Sequence, residues 1–179
     1  MEEEHRKRML ALMEKIPHCV PDGWEREIFA VGGLMYIGFS NVATEKLIVI
    51  SSQGQSIIDC QTWEKTWCGE NYDEENLTAW AEPLGSEVVP IAGQGGGGLR
   101  RFSPAGEHLE LAAPFWPKEQ VIFMPPYVLW HQHPERCTVL LDDYRVLAYG
   151  FSKCGRYLAV ATSSDVHIFK RTGEIDYEL

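Results

Sequence analysis

From Gly150 to Arg171 the chain reads GFSKCGRYLAVATSSDVHIFKR, and this stretch constrains the fold more than any other. Tyr157, Ala159 and Ala161 alternate with Leu158, Val160 and Thr162, a short run rich in apolar and β-branched residues that predicts a strand. Ser163, Ser164 and Asp165 supply turn chemistry, because short polar side chains bond their own backbone. A second strand follows, with Val166 and Ile168 facing one way and His167 and Phe169 the other. Gly155 closes an earlier turn, taking a backbone conformation open to glycine. The prediction is a meander of three strands, roughly 144–151, 156–162 and 165–170.

Two shorter echoes lie upstream. Gly38-Phe39-Ser40 repeats the GFS and precedes the apolar run Lys46–Ser52, a polar turn and Ser56–Asp59. Phe102-Ser103-Pro104-Ala105-Gly106 precedes His108–Ala112, a longer turn and Gln120–Phe123. Each copy follows another strand-like run: Arg26–Ala30, Glu87–Ile91 and Cys137–Leu141. The simplest parse is one domain over 1–179, with repeated β units at 26–62, 87–124 and 137–171. Each unit holds about four antiparallel strands, and self-similarity on this scale signals a repeat architecture. The expected fold is mainly β, with three such units in propeller-like or sandwich packing and one N-terminal amphipathic helix.

The pattern FS-x-x-G-x-x-L followed by S-x-D-x-x-I-F, clearest from Tyr144 to Arg171, resembles a blade of a WD40-type β-propeller. The chain departs from that family in that no Gly-His pair opens a unit. Phe169-Lys170 stands where the family's Trp-Asp belongs. Only about three blades of ~40–45 residues fit, against the four to eight of a ring. A second segment, Gly96–Leu99 followed by Pro114-Phe115-Trp116-Pro117, is similar to small uncharacterised bacterial proteins, a resemblance that implies no function. Too few blades for a ring leave sheet edges open, so two chains forming a homodimeric ring is one expected assembly.

Residues 1–17 hold the one clear helix. Met9, Leu12, Met13 and Ile16 fall at i, i+3, i+4 and i+7, giving an apolar face for packing as a lid over one sheet. Glu2, Glu3 and Glu4 suit the positive end of its dipole, and Pro17 ends it. A net charge of −10 argues against nucleic acid and anionic membrane as partners, since both demand a cationic footprint. No apolar run approaches the ~20 residues of a membrane helix. MEEEHRKRML lacks the apolar core of a signal peptide, so a cytoplasmic location is expected. The five cysteines are odd in number and contain no C-x-x-C, which favours reduced thiols over a disulfide framework or zinc site.

Candidate functional residues fall in the loops that the repeats do not share. Trp63, Trp67 and Trp80 flank an acidic segment, and tryptophan is enriched in binding hot spots. The calcium reading of Asp73, Glu74 and Glu75 fails on spacing, because an EF-hand loop needs ligands at alternating positions around a central glycine. The run Gly93–Gly98, followed by Arg100 and Arg101, can offer backbone N–H groups to an anion. It lacks the Lys-Ser/Thr and the βαβ context of a phosphate loop, so a bulged or mobile connection is the expectation. His131 and His133 share a face if Pro125–Glu135 is a strand. They would begin a metal site, completed by Cys137, Asp142, Asp143 or His108.

The expected function is a non-catalytic protein-binding module without a cofactor, its surface built from Trp63, Trp67, Trp80, Arg100 and Arg101. A specialised version is an acidic neutralising partner of a basic protein. The alternative is a metal-dependent hydrolase using His131 and His133.

Overall fold

Every residue of Tyr157–Ala161 is buried, so that strand needs a packed layer on both of its faces. The computed structural model, which describes residues 1–174, supplies those layers from the rest of the chain. Helix α1 spans Glu2–Met13. Five strands follow: β1 (Trp24–Ala30), β2 (Leu34–Phe39), β3 (Lys46–Ser51), β4 (Gly54–Asp59) and β5 (Lys65–Gly69). Next come four two-residue strands, β6 (Tyr72–Asp73), β7 (Thr78–Ala79), β8 (Val89–Pro90) and β9 (Ala92–Gly93). Then come β10 (His108–Ala112), β11 (Glu119–Met124) and β12 (Thr138–Asp143). The last three are β13 (Ala148–Phe151), β14 (Tyr157–Ala161) and β15 (Asp165–Arg171).

These strands form several antiparallel sheets, four in number rather than the expected three. A central sheet has the order β1-β15-β14-β13, a five-stranded sheet the order β5-β4-β3-β2-β9, and a third the order β10-β11-β12. The small sheet β6-β7-β8 was not foreseen, because two-residue strands carry no periodicity to read.

The alternation along β14 and β15 sorts their side chains between two cores. Tyr157, Ala159, Ala161, Val166 and Ile168 pack with Ile37, Leu47 and Val49 of the five-stranded sheet. Leu158, Val160 and Phe169 pack with Leu109, Val121 and Phe123 of the β10–β12 sheet. The outer face of that sheet is covered by α1, which ends at Met13 rather than at Pro17, and by the turn after it: Met13 of the helix and Ile16 of the turn join Ile122, Met124 and Trp130. The helix thus acts as a lid, as its apolar spacing predicts. Ala79 and Val89 of the small sheet cover Tyr36, Ile48 and Ile50 on the outer face of the five-stranded sheet. The layers therefore run in a stack: helix, three larger sheets, small sheet. No ring or closed barrel is formed among the described residues.

The grouping of strands shifts by one from the expected units. Arg26–Ala30, read as opening unit 26–62, lies in β1 and pairs with β15, Trp24 opposite Arg171 and Ala30 opposite Asp165. Cys137–Leu141, read as opening unit 137–171, falls largely in β12 and pairs back onto β11. Val89–Pro90, within the run that opens unit 87–124, pairs with β7 of the small sheet. Edge protection explains the shift for β1 and β12. Each supplies an outer partner to a strand whose row of N–H and C=O groups would otherwise stand open.

The glycine-rich run is an ordered tie rather than a mobile connection. Ala92–Gly93 pairs with β2 at Ile37 and Tyr36, on the edge of the five-stranded sheet. Arg100 then pairs with Phe151 at the edge of the central sheet, and Phe102 with His108 at the edge of the third. One short segment thus joins the inner edges of three sheets. Two glycines make the approach possible. A Cβ on Gly93 would collide with the Met35 carbonyl, and one on Gly150 would collide with Leu99 and lie 2.9 Å from the Arg100 carbonyl oxygen.

Candidate binding surfaces

One of the predicted tryptophans, Trp80, is held by a buried amide. The turn from β3 to β4 brings Gln55 fully out of solvent. An amide buried there must find partners for its donors and acceptor. Gln55 Nε2 donates to the Trp80 carbonyl at 3.0 Å, and its Oε1 accepts from the Asn71 N–H at 2.7 Å. The Trp80 N–H donates to the Asn71 carbonyl at 2.9 Å. Trp80 is thereby fixed at its backbone while its ring stays 45% exposed. Trp67, opposite Ser56 on the outer strand β5, is 57% exposed. The Lys65 ammonium, two residues away on the same face, lies 4.7 Å from its ring centroid. The Trp67 ring also runs beside Gly54. Trp67 and Trp80 therefore approach β4 from its two faces at the β5 edge of the sheet, Trp67 beside Gly54 and Trp80 at the Gln55 amide.

Trp63 does not join them. Its backbone has φ 66°, and its ring packs on Phe29 at 6.4 Å under the Lys170 ammonium at 4.8 Å. It closes the seam between β1 and the five-stranded sheet, so its place is structural.

Arg100 and Arg101 diverge. The chain bends at Arg101, just after the bridge that Arg100 makes with Phe151. Arg100 Nη2 donates to Asn41 Oδ1 at 3.1 Å, whereas the Arg101 guanidinium stands 5.4 Å from the Tyr149 ring. The glycine N–H groups do not converge on an anion either. Those of Gly93 and Gly96 donate to each other's carbonyls, at 2.9 and 3.0 Å. Arg100 instead lines a pocket of about 230 Å³ with Asn41, Lys153, Leu99, Phe39 and Phe151. The sequence reading missed Asn41 and Lys153. A signal was present, because each directly follows a shared Phe-Ser pair, at 39–40 and at 151–152.

His131 and His133 lie in a turn, not on a strand. The N–H groups of Gln132 and His133 both donate to the Leu129 carbonyl, which breaks the period-two argument for a shared face. His131 meets Trp130 edge-on at 5.8 Å, and His133 Nδ1 lies 3.5 Å from Glu135. Among the described residues, no group of three His, Cys, Asp or Glu side chains is placed to hold a metal. Cys137, one of the suggested further ligands, is buried, and burial pushes its thiol up to about 12. Burial also raises the Cys60 thiol. Exposed Cys154 goes the other way: burial opposes ionisation, but hydrogen bonds from Ser152 and Thr44 outweigh it and lower the thiol.

The one strongly buried histidine is His167, on β15 between Ile28 of β1 and Val160 of β14. Its Nε2 is 3.3 Å from Asp165 Oδ1, and its Nδ1 has no partner. Burial lowers its pKa, with Arg26 acting the same way and Asp165 and Asp143 opposing. A base whose folded pKa lies below the unfolded value binds fewer protons in the native state. Its contribution to stability is therefore complete above the unfolded value of about 6.5 and is lost as pH falls from there through the folded value. Thermal melts of the native chain and His167→Gln should converge or cross as pH is lowered from 7 to 5. A stability difference independent of pH would contradict this.

Comparison with known protein families, curated proteins and solved structures finds no match to the chain.

Proposed function

We infer that this chain is a non-catalytic protein-binding module that docks its partner on the Trp67–Trp80 corner. The observation that supports the reading most is the exposure of two tryptophans on held backbone, Trp80 through the buried Gln55 amide and Trp67 through its pairing with β4. Rigid aromatic side chains give large contact area at small entropic cost, the usual make-up of a hot spot. The net charge of −10 favours a partner with a basic face, through faster encounter and exclusion of acidic competitors. An acidic neutralising partner of a basic protein, acting in the cytoplasm, is the specialised form of this reading. A second copy of the chain is a further candidate occupant, and light scattering of the purified protein separates self-association from capture of another protein.

Trp67→Ala with Trp80→Ala tests the reading. Capture from a lysate of the source cell should retain a basic protein on the native chain. Loss of one hot spot costs about 2 kcal/mol, so the variant should bind at least tenfold more weakly. Both rings are half-exposed, so the melting transition should barely move. Equal retention of the same partner by the native chain and the folded variant would sink the proposal.

A further inference from the structure

We propose that the pocket at the inner edges of the central and five-stranded sheets binds a small organic carboxylate, with Arg100 and Lys153 holding the anion. The site is separate from the Trp67–Trp80 corner and does not rest on that reading. Its walls come from the repeat itself. Phe39 ends β2 and Phe151 ends β13, and both line the pocket. The residue two positions after each, Asn41 and Lys153, stands at its rim. Leu99 and Arg100 enter from the glycine-rich tie, positioned by the Phe151 N–H that donates to the Arg100 carbonyl at 2.8 Å.

The charge balance points to an anion. Two cations and no carboxylate line this pocket in a chain that is strongly acidic overall. Neither Arg100 nor Lys153 has a carboxylate within 4.0 Å among the described residues. The neighbouring carboxylate, Glu87, is occupied elsewhere. It accepts from the Ser40 hydroxyl at 2.6 Å and from the Asn41 and Val42 N–H groups at 3.2 Å. A larger recess, about 450 Å³ between the 17–22 linker and the ends of β11 and β12, contrasts with it. There Arg136 is accompanied by Asp22 and Glu135 in the lining, so no uncompensated charge calls for a ligand.

Size and wall chemistry narrow the class. A volume of about 230 Å³ is below the range of drug-sized pockets, so the occupant is small. Phe39, Phe151, Leu99 and Pro90 form apolar walls, which suit a short hydrocarbon body better than a fully hydrated inorganic anion. Asn41 Oδ1 already accepts from Arg100, which orients the guanidinium to offer its remaining donors to a carboxylate. Such a group can come from a free acid or from the C-terminal end of a peptide.

The test is an amide chemical-shift titration of the full chain at constant ionic strength, using butyrate, inorganic phosphate and sodium chloride. Two further probes are an alanine-alanine-valine tripeptide with a free C-terminus and its C-terminal amide. Butyrate or the free tripeptide should saturate shifts at 98–101 and 153, and whichever binds tighter identifies the source. Phosphate should bind more weakly, and chloride should not saturate. Arg100→Gln should weaken butyrate binding at least tenfold while leaving the melting temperature unchanged. Lys153→Gln, at an exposed position, serves the same purpose should Arg100→Gln fail to fold. Unsaturable shifts, equal binding of the amidated peptide, tighter binding of phosphate, or no loss in either folded variant would each overturn the proposal.

Discussion

Gly93→Ala should destabilise this protein by more than about 3 kcal/mol, at the exceptional end of single substitutions. A methyl group at this position has nowhere to go. Its Cβ would fall against the carbonyl of Met35 and within 2.9 Å of the Tyr36 Cα, both of them backbone atoms of β2. A flexible side chain can rotate away from such a contact, but a paired strand cannot without breaking its ladder. The clash would separate Ala92–Gly93 from Ile37 and Tyr36 and free the tie that continues to the other two sheets. Gly98→Ala, in the same run, is the control. Nothing lies within 4 Å of its Cβ position and its backbone is unstrained, so its effect should stay within about 0.5 kcal/mol. Urea unfolding of both variants reads the contrast, and equal midpoints would show that the run is loosely held.

Arg171→Met should cost about 3–5 kcal/mol, because it strands a charge in the interior. Glu107 is fully buried, and both of its oxygens accept from Arg171 Nη2. The same nitrogen donates to the Gly155 carbonyl at 3.1 Å, and the guanidinium lies 4.5 Å from the Trp24 ring centroid. The methionine stem replaces the apolar part of arginine but none of its donors. A second change, Glu107→Gln, removes the stranded charge and should restore part of the loss. Two variants with independent, additive costs would contradict a coupled pair.

Both effects arise from contacts between distant parts of the chain, and the same distinction separates what was legible in the sequence from what was not. The hairpin from Tyr157 to Phe169 could be read because strand alternation is local. Tyr157 and Ala159 face one core and Leu158 and Val160 the other, as a period of two requires. The apolar spacing of Met9, Leu12, Met13 and Ile16 likewise announced α1. The partner of β1 could not be read, because Trp24 pairs with Arg171 at the far end of the chain. Nothing in the Trp24–Ala30 run distinguishes pairing with β2 from pairing with β15. What decides it is which sheet edge the folded chain leaves open.

The candidate residues divide on the same ground. Trp63 and Trp67 look equivalent in sequence, four positions apart in one polar segment. Phe29 and Lys170, from remote strands, take Trp63 into a seam, while Trp67 remains on the surface. Arg100 and Arg101 look like a pair, yet the bend at Arg101 leaves them in different surroundings. Asn41 and Lys153 meet Arg100 because the segments after the Phe-Ser pairs at 39–40 and 151–152, remote in sequence, line one pocket. His131 and His133 were assigned a common face on the assumption of a strand, and a turn about the Leu129 carbonyl removed it.

The glycine-rich run thus proves central in a way its composition does not suggest. It is the tie across three sheet edges and the support from which Arg100 reaches its pocket. Amide hydrogen exchange of the native protein tests this most directly. The N–H groups of Phe151 and Leu109 donate to the Arg100 and Arg101 carbonyls, and that of Gln94 donates to the Met35 carbonyl. All three should exchange as slowly as amides inside the central sheet, such as Val160, because opening them requires the sheets to part. Exchange at the rate of an unprotected loop, with Val160 still protected, would contradict the tie.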